Sequence, residues 1–268
     1  MTPAIDLVVN VFERTYRRVL APGWFDTLIA AQCRSFAQRV VLINNVDDVA
    51  AAGRSAETRR RAGEIDAYYF VRDQLPAALA GVGLSTRDLG RIPHYTDWAV
   101  VAVAMPGNPW LVHWDAEAAL VAPSDWVTPS IELMERDPRV AVANPSWRAD
   151  WDERDGREFV GDFALGGGFS DQVFLVRREE FARPIYGHWS LASWRYPLTH
   201  VARIFEARVD AYLRATQRLR ATHLRCIYRH ESRPAATASL GVPRSGRERL
   251  AKIRRRLAIH WLRWRNGD

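Results

Sequence analysis

The sequence predicts an α/β fold with a mostly parallel central sheet flanked by helices. Three observations carry that expectation. Short apolar runs alternate with stretches of helical period through the first half of the chain, the form taken by buried strands joined by crossover helices. Two of the runs stop abruptly in polar clusters, Asn44-Asn45-Val46-Asp47-Asp48 and Asp115-Ala116-Glu117, and the carboxyl ends of strands are where open α/β sheets meet ligands. Finally, 48% apolar residues with 26% charged over 268 residues allow one large core and exclude a globally disordered chain.

The elements follow in order. Residues 5–12 read as a first strand and 40–43 as a second, with a helix over 24–36 between them, on Leu28, Ala31, Cys33 and Phe36. A third strand is expected over 67–71. Thr96 or Asp97 is placed to cap a short helix ending at Ala104, and Pro106-Gly107-Asn108-Pro109 is a strong turn. Residues 110–114 form another buried strand. Ser124 or Asp125 caps a helix running to about Arg136, and 140–143 is a short strand. Residues 146–168 are rich in Gly, Asp, Arg and Trp without a period, and read as a long functional loop. Strand character resumes over 169–176. A helix over 198–218 carries Val201, Ile204, Phe205, Val209, Tyr212 and Leu213 as one stripe.

The remaining chain divides into a Pro, Ala, Ser and Gly linker, 232–246, and a basic amphipathic helix, 247–268. Between Arg244 and Arg265 nine basic residues face one acid, Glu248, so most of the net charge of +7 belongs to this tail. A near-neutral body argues against nucleic acid as a partner, which would favour a basic face on the folded domain. In the tail, Leu250, Ile253, Leu257, Trp261 and Trp264 line a stripe with arginines mostly off it, the form of a helix lying on an anionic membrane surface. The competing reading packs that helix back on the domain. No stretch approaches the roughly 18 to 20 apolar residues of a membrane span, and residues 5–12 lack the flanks of a signal sequence. The expected location is therefore cytoplasmic, with peripheral attachment to the inner face of the membrane through the tail. Cys33 and Cys226 have neither disulfide nor metal-site spacing.

Asp115 and Glu117, one residue apart directly after a buried strand, are candidate ligands for a hard divalent cation. Mg²⁺ or Mn²⁺ typically takes one or two protein carboxylates together with substrate phosphates. Taken alone, such a pair is more often a solvated strand end.

The order of motifs resembles the GT-A glycosyltransferases, particularly family 2. A strand ending in a polar turn is followed by a second strand ending in a polar cluster, then by the metal motif. After it come Pro123-Ser124-Asp125-Trp126-Val127, a helix, and Asp137-Pro138-Arg139-Val140, similar to the family's "pdwl" and "dprv" phrases. The resemblance covers residues 5–230 and implies a GT-A catalytic domain over 1–231. It implies a nucleotide-sugar donor, a Mn²⁺ or Mg²⁺ cofactor and transfer, with inversion, to a hydroxyl of a glycan, lipid-linked glycan or small-molecule acceptor, as in polysaccharide biosynthesis.

By that resemblance Asn44, Asn45, Asp47 and Asp115 bind donor, and Asp115 and Glu117 hold metal, with Glu117 where the family has a second aspartate. His230 stands where related enzymes place a metal-ligating histidine. Asn44 and Asn45 replace the family's acidic pair, and read equally well as turn residues. The segment from Phe205 to Arg214 resembles the family's "ED.DL..R" helix, imperfectly. Matching Asp210 and Arg214 puts Ala207 and Arg208 in place of the acids; matching Glu206 shifts the rest. Glu206 is the first candidate for general base, its alternative being a surface pair with Arg203 or Arg214. Asp171, beside a glycine-rich loop and within an apolar strand, is the second. His113 alternates to the far side of its strand from Trp114 and reads as structural. Trp147, Trp151, Trp189 and Trp194 suit sugar stacking. Two other readings stay open. One is a silent binding protein on the same fold. The other is a nucleotidyltransferase, although Asn10 to Tyr16 lacks the glycine-rich loop such enzymes use.

Overall fold

A computed structural model describes residues 3–147 and 156–231 of the chain. The linker and basic helix expected over 232–268, and Trp151, lie outside the described residues.

Chain order runs β1 (Ile5–Val11), α1 (Tyr16–Val19), α2 (Trp24–Ala31), β2 (Gln38–Ile43), α3 (Val49–Arg61), β3 (Ala67–Phe70), α4 (Val71–Gly81), α5 (Asp97–Ala104), β4 (Trp110–Asp115) and β5 (Ala118–Leu120). It continues through α6 (Val127–Arg136), β6 (Val140–Trp147), β7 (Gly156–Val160), β8 (Phe163–Gly166), β9 (Val173–Arg177), α7 (Arg178–Phe181), α8 (Phe205–Ala215) and β10 (Leu219–His230). The strands form one sheet in the order β3-β2-β1-β4-β9-β6-β10-β8-β7, with β5 added against β10.

Strand alternation sorts the core into two layers. Leu7, Val9, Val41, Ile43, Val112 and Trp114 face α1, α2, α3 and α6 on one side. Val8, Leu42, Leu111 and Val176 face α4, α5, α7 and α8 on the other. Because α5 lies against the sheet under its neighbours, every residue from Asp97 to Val103 is buried. His113 belongs to this second layer. It stacks on Trp98 with ring centroids 4.3 Å apart, and burial pushes its pKa down to about 3, so it is a neutral core residue.

The sheet is mixed, which corrects the expectation of a mostly parallel one. β1, β2, β3 and β4 are parallel, and so are β6 and β10, but β9 runs against both β4 and β6. A parallel return needs a crossover of a dozen or more residues, usually helical. The sequence between β6 and β9 has no helical period, and the chain comes back antiparallel. That stretch is also not the aperiodic loop expected over 146–168. Its described part is a hairpin, β7 and β8, closed by Gly161-Asp162 between the paired residues Val160 and Phe163. Gly161 takes the positive φ, +57°, that two-residue hairpin turns need.

Two helices are shorter than expected. α2 ends at Ala31, where Cys33 turns into the left-handed region at φ 51°. α8 begins only at Phe205, since Leu198 is left-handed at φ 66°. The strand expected over 169–176 begins at Val173, leaving Asp171 in the loop before it.

At the amino-terminal edge of the sheet a buried ion pair fastens the turn before β4. Asp6 accepts from Arg178 Nη2 at 2.8 Å and from the backbone and side-chain amides of Asn108. Arg178 also donates to the carbonyls of Ala102, Asn108 and Met105. A Cβ at Gly107 would collide with both charged groups, so the turn closes only with glycine there.

Candidate metal centre and acid pair

At the carboxyl end of β4 the chain must turn, and the turn is built by its own polar groups. The Asp115 amide donates to Gln172 O at 2.7 Å, Asp115 Oδ1 accepts from the Glu117 amide at 2.6 Å, and buried Trp114 Nε1 donates to Ala118 O at 3.0 Å. This folds β5 back onto the end of β10, where Ala118 pairs with His230 and the Glu231 amide donates to Glu117 O. The long strand β10 thereby delivers His230 to the acids that end β4. His230 Nε2 lies 3.7 Å from Asp115 Oδ2, and one ligand atom each from Asp115, Glu117 and His230 fall within 4.8 Å of one another. The carboxylate of Asp115, helped by Glu117 and Asp171, raises the His230 pKa against the opposing effect of burial.

Two carboxylates and an imidazole form a donor set that a hard or borderline divalent cation accepts. All three side chains are partly exposed, which leaves an open side for substrate oxygens. The residues therefore fit a divalent ion.

Beside the cluster stands an acid pair from two further elements. Asp171, in the loop entering β9, donates its amide to Glu206 Oε1 at 3.4 Å, and Glu206 occupies the first turn of α8, where the helix dipole favours a negative charge. Burial, then the charges of Glu206 and Asp115, push the Asp171 pKa far up. Burial also lifts Glu206, to about 7, offset by hydrogen bonds from Asp171 and by the charge of Arg195. Two carboxyls this close titrate as a pair, each one's charge opposing ionisation of the other. The expectation of an acid inside an apolar strand is corrected: Asp171 is in the loop before β9, beside a neighbouring carboxylate.

Sequence reasoning missed several neighbours. Tyr228, fully buried on β10, donates to Gln172 Oε1 at 3.0 Å and lies 3.2 Å from Ser170 Oγ. Asn10 pairs in register with both Asp115 and Leu42, so β1 connects the two predicted polar ends. Arg14 Nη2 comes within 3.9 Å of Glu117 Oε2. Only register could have revealed Asn10 and Tyr228, and register is not visible in a single sequence.

The polar cluster after β2 lies farther along the same edge. Buried Asn44 donates its amide to Asp97 Oδ1 at 2.9 Å, and burial raises the Asp97 pKa to about 6. Asn45 is exposed and left-handed at φ 48°. Asp47 is exposed, its amide donating to Glu13 Oε2 at 2.9 Å, and Asp48 caps α3 through the Ala51 amide. Of the tryptophans, Trp147 ends β6 half exposed and Trp189 is exposed, while Trp194 is partly covered.

The α/β fold with its mixed sheet resembles GT-A folds in general. The chain is similar to GalNAc-T7, solved with UDP, GalNAc and Mn²⁺, at a TM-score of 0.51 and 10% identity, over 85% of this chain and 44% of that one. The chain therefore spans less than half the length of that protein. A structure described as a mycobacterial protein matches at a TM-score of 0.47 and 14% identity, over 88% of this chain and 69% of that one. No protein-family model matches the sequence. No curated protein matches it either.

Proposed function

We propose that the chain is a metal-dependent glycosyltransferase that moves a sugar from a nucleotide-diphosphate donor to a hydroxyl of a glycan, lipid-linked glycan or small molecule. The observation that carries this reading is the meeting, at the carboxyl edge of a GT-A-like sheet, of a three-ligand metal cluster and a partly buried acid pair. The fold likeness to an enzyme solved with UDP and Mn²⁺ supports it.

Asp115, Glu117 and His230 would hold Mn²⁺ or Mg²⁺, which when bound stabilises the negative charge developing on the departing diphosphate. Glu206, the acid with pKa near 7, takes the proton of the acceptor hydroxyl as its oxygen bonds to the anomeric carbon and the bond to the diphosphate breaks. Asp171, whose carboxyl burial pushes far up, keeps Glu206 in place through its backbone amide. The transition state has oxocarbenium character and the anomeric configuration inverts. Asn45 and Asp47, exposed beyond β2, and Asn44 beside them face the nucleoside end of the donor. The basic amphipathic helix expected over 247–268 brings the enzyme to anionic membranes and their lipid-linked acceptors, so a chain ending at Gly246 should lose binding to anionic vesicles.

The test is to incubate the full chain with a panel of nucleotide sugars and either Mn²⁺ or Mg²⁺, reading release of nucleoside diphosphate. One donor is expected to be turned over with metal only. No turnover of any donor, with nucleotide still bound, would make the chain a silent binding protein.

A further inference from the structure

The three candidate metal ligands come from two segments far apart in the chain, and a single side chain from a third element ties those segments together. Arg18, in α1, donates through Nη1 to Glu231 Oε2 at 2.6 Å and through Nη2 to Ala116 O. Ala116 stands between the ligands Asp115 and Glu117, and Glu231 directly follows the ligand His230. One guanidinium fork thus spans the acid half and the histidine half of the cluster.

The backbone that carries Arg18 is fixed. α1 is a single turn, but Tyr16 and Val19 to either side of Arg18 are buried in the core. Thr15 closes the turn before it, its Oγ1 accepting from the Phe12 amide at 3.0 Å, and the Tyr16 amide donates to Phe12 O at 2.9 Å. The partners of Arg18 are less secure. β5 is three residues long, and its ladder partner is β10, where Ala118, Ala119 and Leu120 pair with His230, Arg229 and Tyr228. So short a two-stranded pairing is marginal alone. Within the turn, the carboxylates of Asp115 and Glu117 repel each other until a cation lies between them. The Glu231 amide on Glu117 O holds the two segments at one point. The fork adds two more, at a spacing set by the planar guanidinium.

Resting on the metal-dependent reading above, we propose that Arg18 is a positioning residue of the metal centre: its fork straps the turn carrying Asp115 and Glu117 to the strand end carrying His230, and so holds the three ligands at binding distance before the ion arrives. Arg18 acts through geometry and not through its charge, which Glu231 balances.

The test is uptake of Mn²⁺ by the full chain, followed by electron paramagnetic resonance of the free ion, with amide hydrogen exchange in EDTA as a readout that needs no metal. Arg18→Gln should weaken uptake by about tenfold or more, the scale for a residue that orients metal ligands from behind. Arg18→Lys keeps the charge but not the fork, and should weaken it nearly as much. Glu231→Ala should weaken it less, and should add nothing on top of Arg18→Gln, because both changes break the same strap. Arg17→Gln removes a charge from the same helix that pairs with Glu13 instead, and should bind Mn²⁺ as the wild type does. In EDTA, residues 115–120 and 228–231 should exchange faster in Arg18→Gln than in the wild type. Thermal unfolding should stay close to wild type, because Arg18 and Glu231 are 43% and 53% exposed. Uptake by Arg18→Gln equal to or tighter than that of the wild type, full restoration by Arg18→Lys, or unchanged exchange in Arg18→Gln would overturn the strap and leave the metal reading standing. No uptake by the wild type, with exchange still faster in Arg18→Gln, would sink the metal reading and keep only the strap.

Discussion

The Asp171 amide donates to Glu206 Oε1 at 3.4 Å, and burial pushes both carboxyls above the ordinary carboxylate range. In the transferase reading Glu206 is the base and Asp171 positions it. Glu206→Gln should lower transfer by about 10² to 10⁴, the usual contribution of a general base, with donor binding kept. Asp171→Asn preserves a donor toward Glu206 and should retain most activity. A dead Asp171→Asn beside an active Glu206→Gln would reverse the assignment.

The same pair fixes the pH profile. Glu206 must be ionised to accept a proton, so kcat/KM should rise through its pKa of about 7 and level off above it. Asp171→Ala removes the hydrogen bond that lowers this pKa, so the rising limb should move to higher pH. A limb that stays in place in that variant would separate Glu206 from the pH dependence.

A second titration acts on stability rather than chemistry. The folded pKa of Asp97, about 6, lies above its ordinary value of 3.8 because burial disfavours the carboxylate. The folded state then binds the proton more tightly than the unfolded one, so stability falls as pH rises from about 4 through 6. The loss is on the order of 3 kcal/mol at 1.36 kcal/mol per unit. Asp97→Asn, which can still accept from Asn44 and the Trp98 amide, should be more stable than wild type at pH 8 and little different at pH 4 by urea unfolding. Equal differences at the two pH values would contradict this.

The edge opposite the site carries the main polar fastening of the core. Asp6→Ala leaves Arg178 buried without its counter-charge and should cost about 3–5 kcal/mol in denaturant titration. Metal affinity of the folded fraction should not change. A loss of metal binding with stability intact would be the wrong outcome for a purely structural pair.

How far the sequence revealed this arrangement depends on the range of the interactions. β1, β2, β3 and β4 were legible because each is an apolar run that a local window captures. Asp115 and Glu117 were legible for the same reason, as polar residues closing such a run. The amphipathic and Arg-rich pattern of α3, the Pro76-containing α4 and the charged strand β10 were not read at all, since none has a clean period. β10 matters most of these, because it carries Tyr228 and delivers the expected ligand His230 to the acids that end β4. Its charged residues hide a strand that pairs with β6 along its length and with β8 over Arg220–His223, which only the tertiary fold supplies. The reversed direction of β9 was likewise beyond local pattern. Glu206 and Asp171 were each singled out, but their contact across 35 residues was not.

Asp115, Glu117 and His230 carry the central claim, and Mn²⁺ binding tests it most directly. Electron paramagnetic resonance of free Mn²⁺, titrated with the full chain, should show saturable uptake that a nucleoside diphosphate strengthens. Asp115→Ala should abolish the uptake while leaving thermal unfolding close to wild type, because the carboxylate is partly exposed at a strand end. Uptake by Asp115→Ala equal to that of the wild type, or no uptake by the wild type with nucleotide present, would contradict the metal centre and the transferase reading built on it.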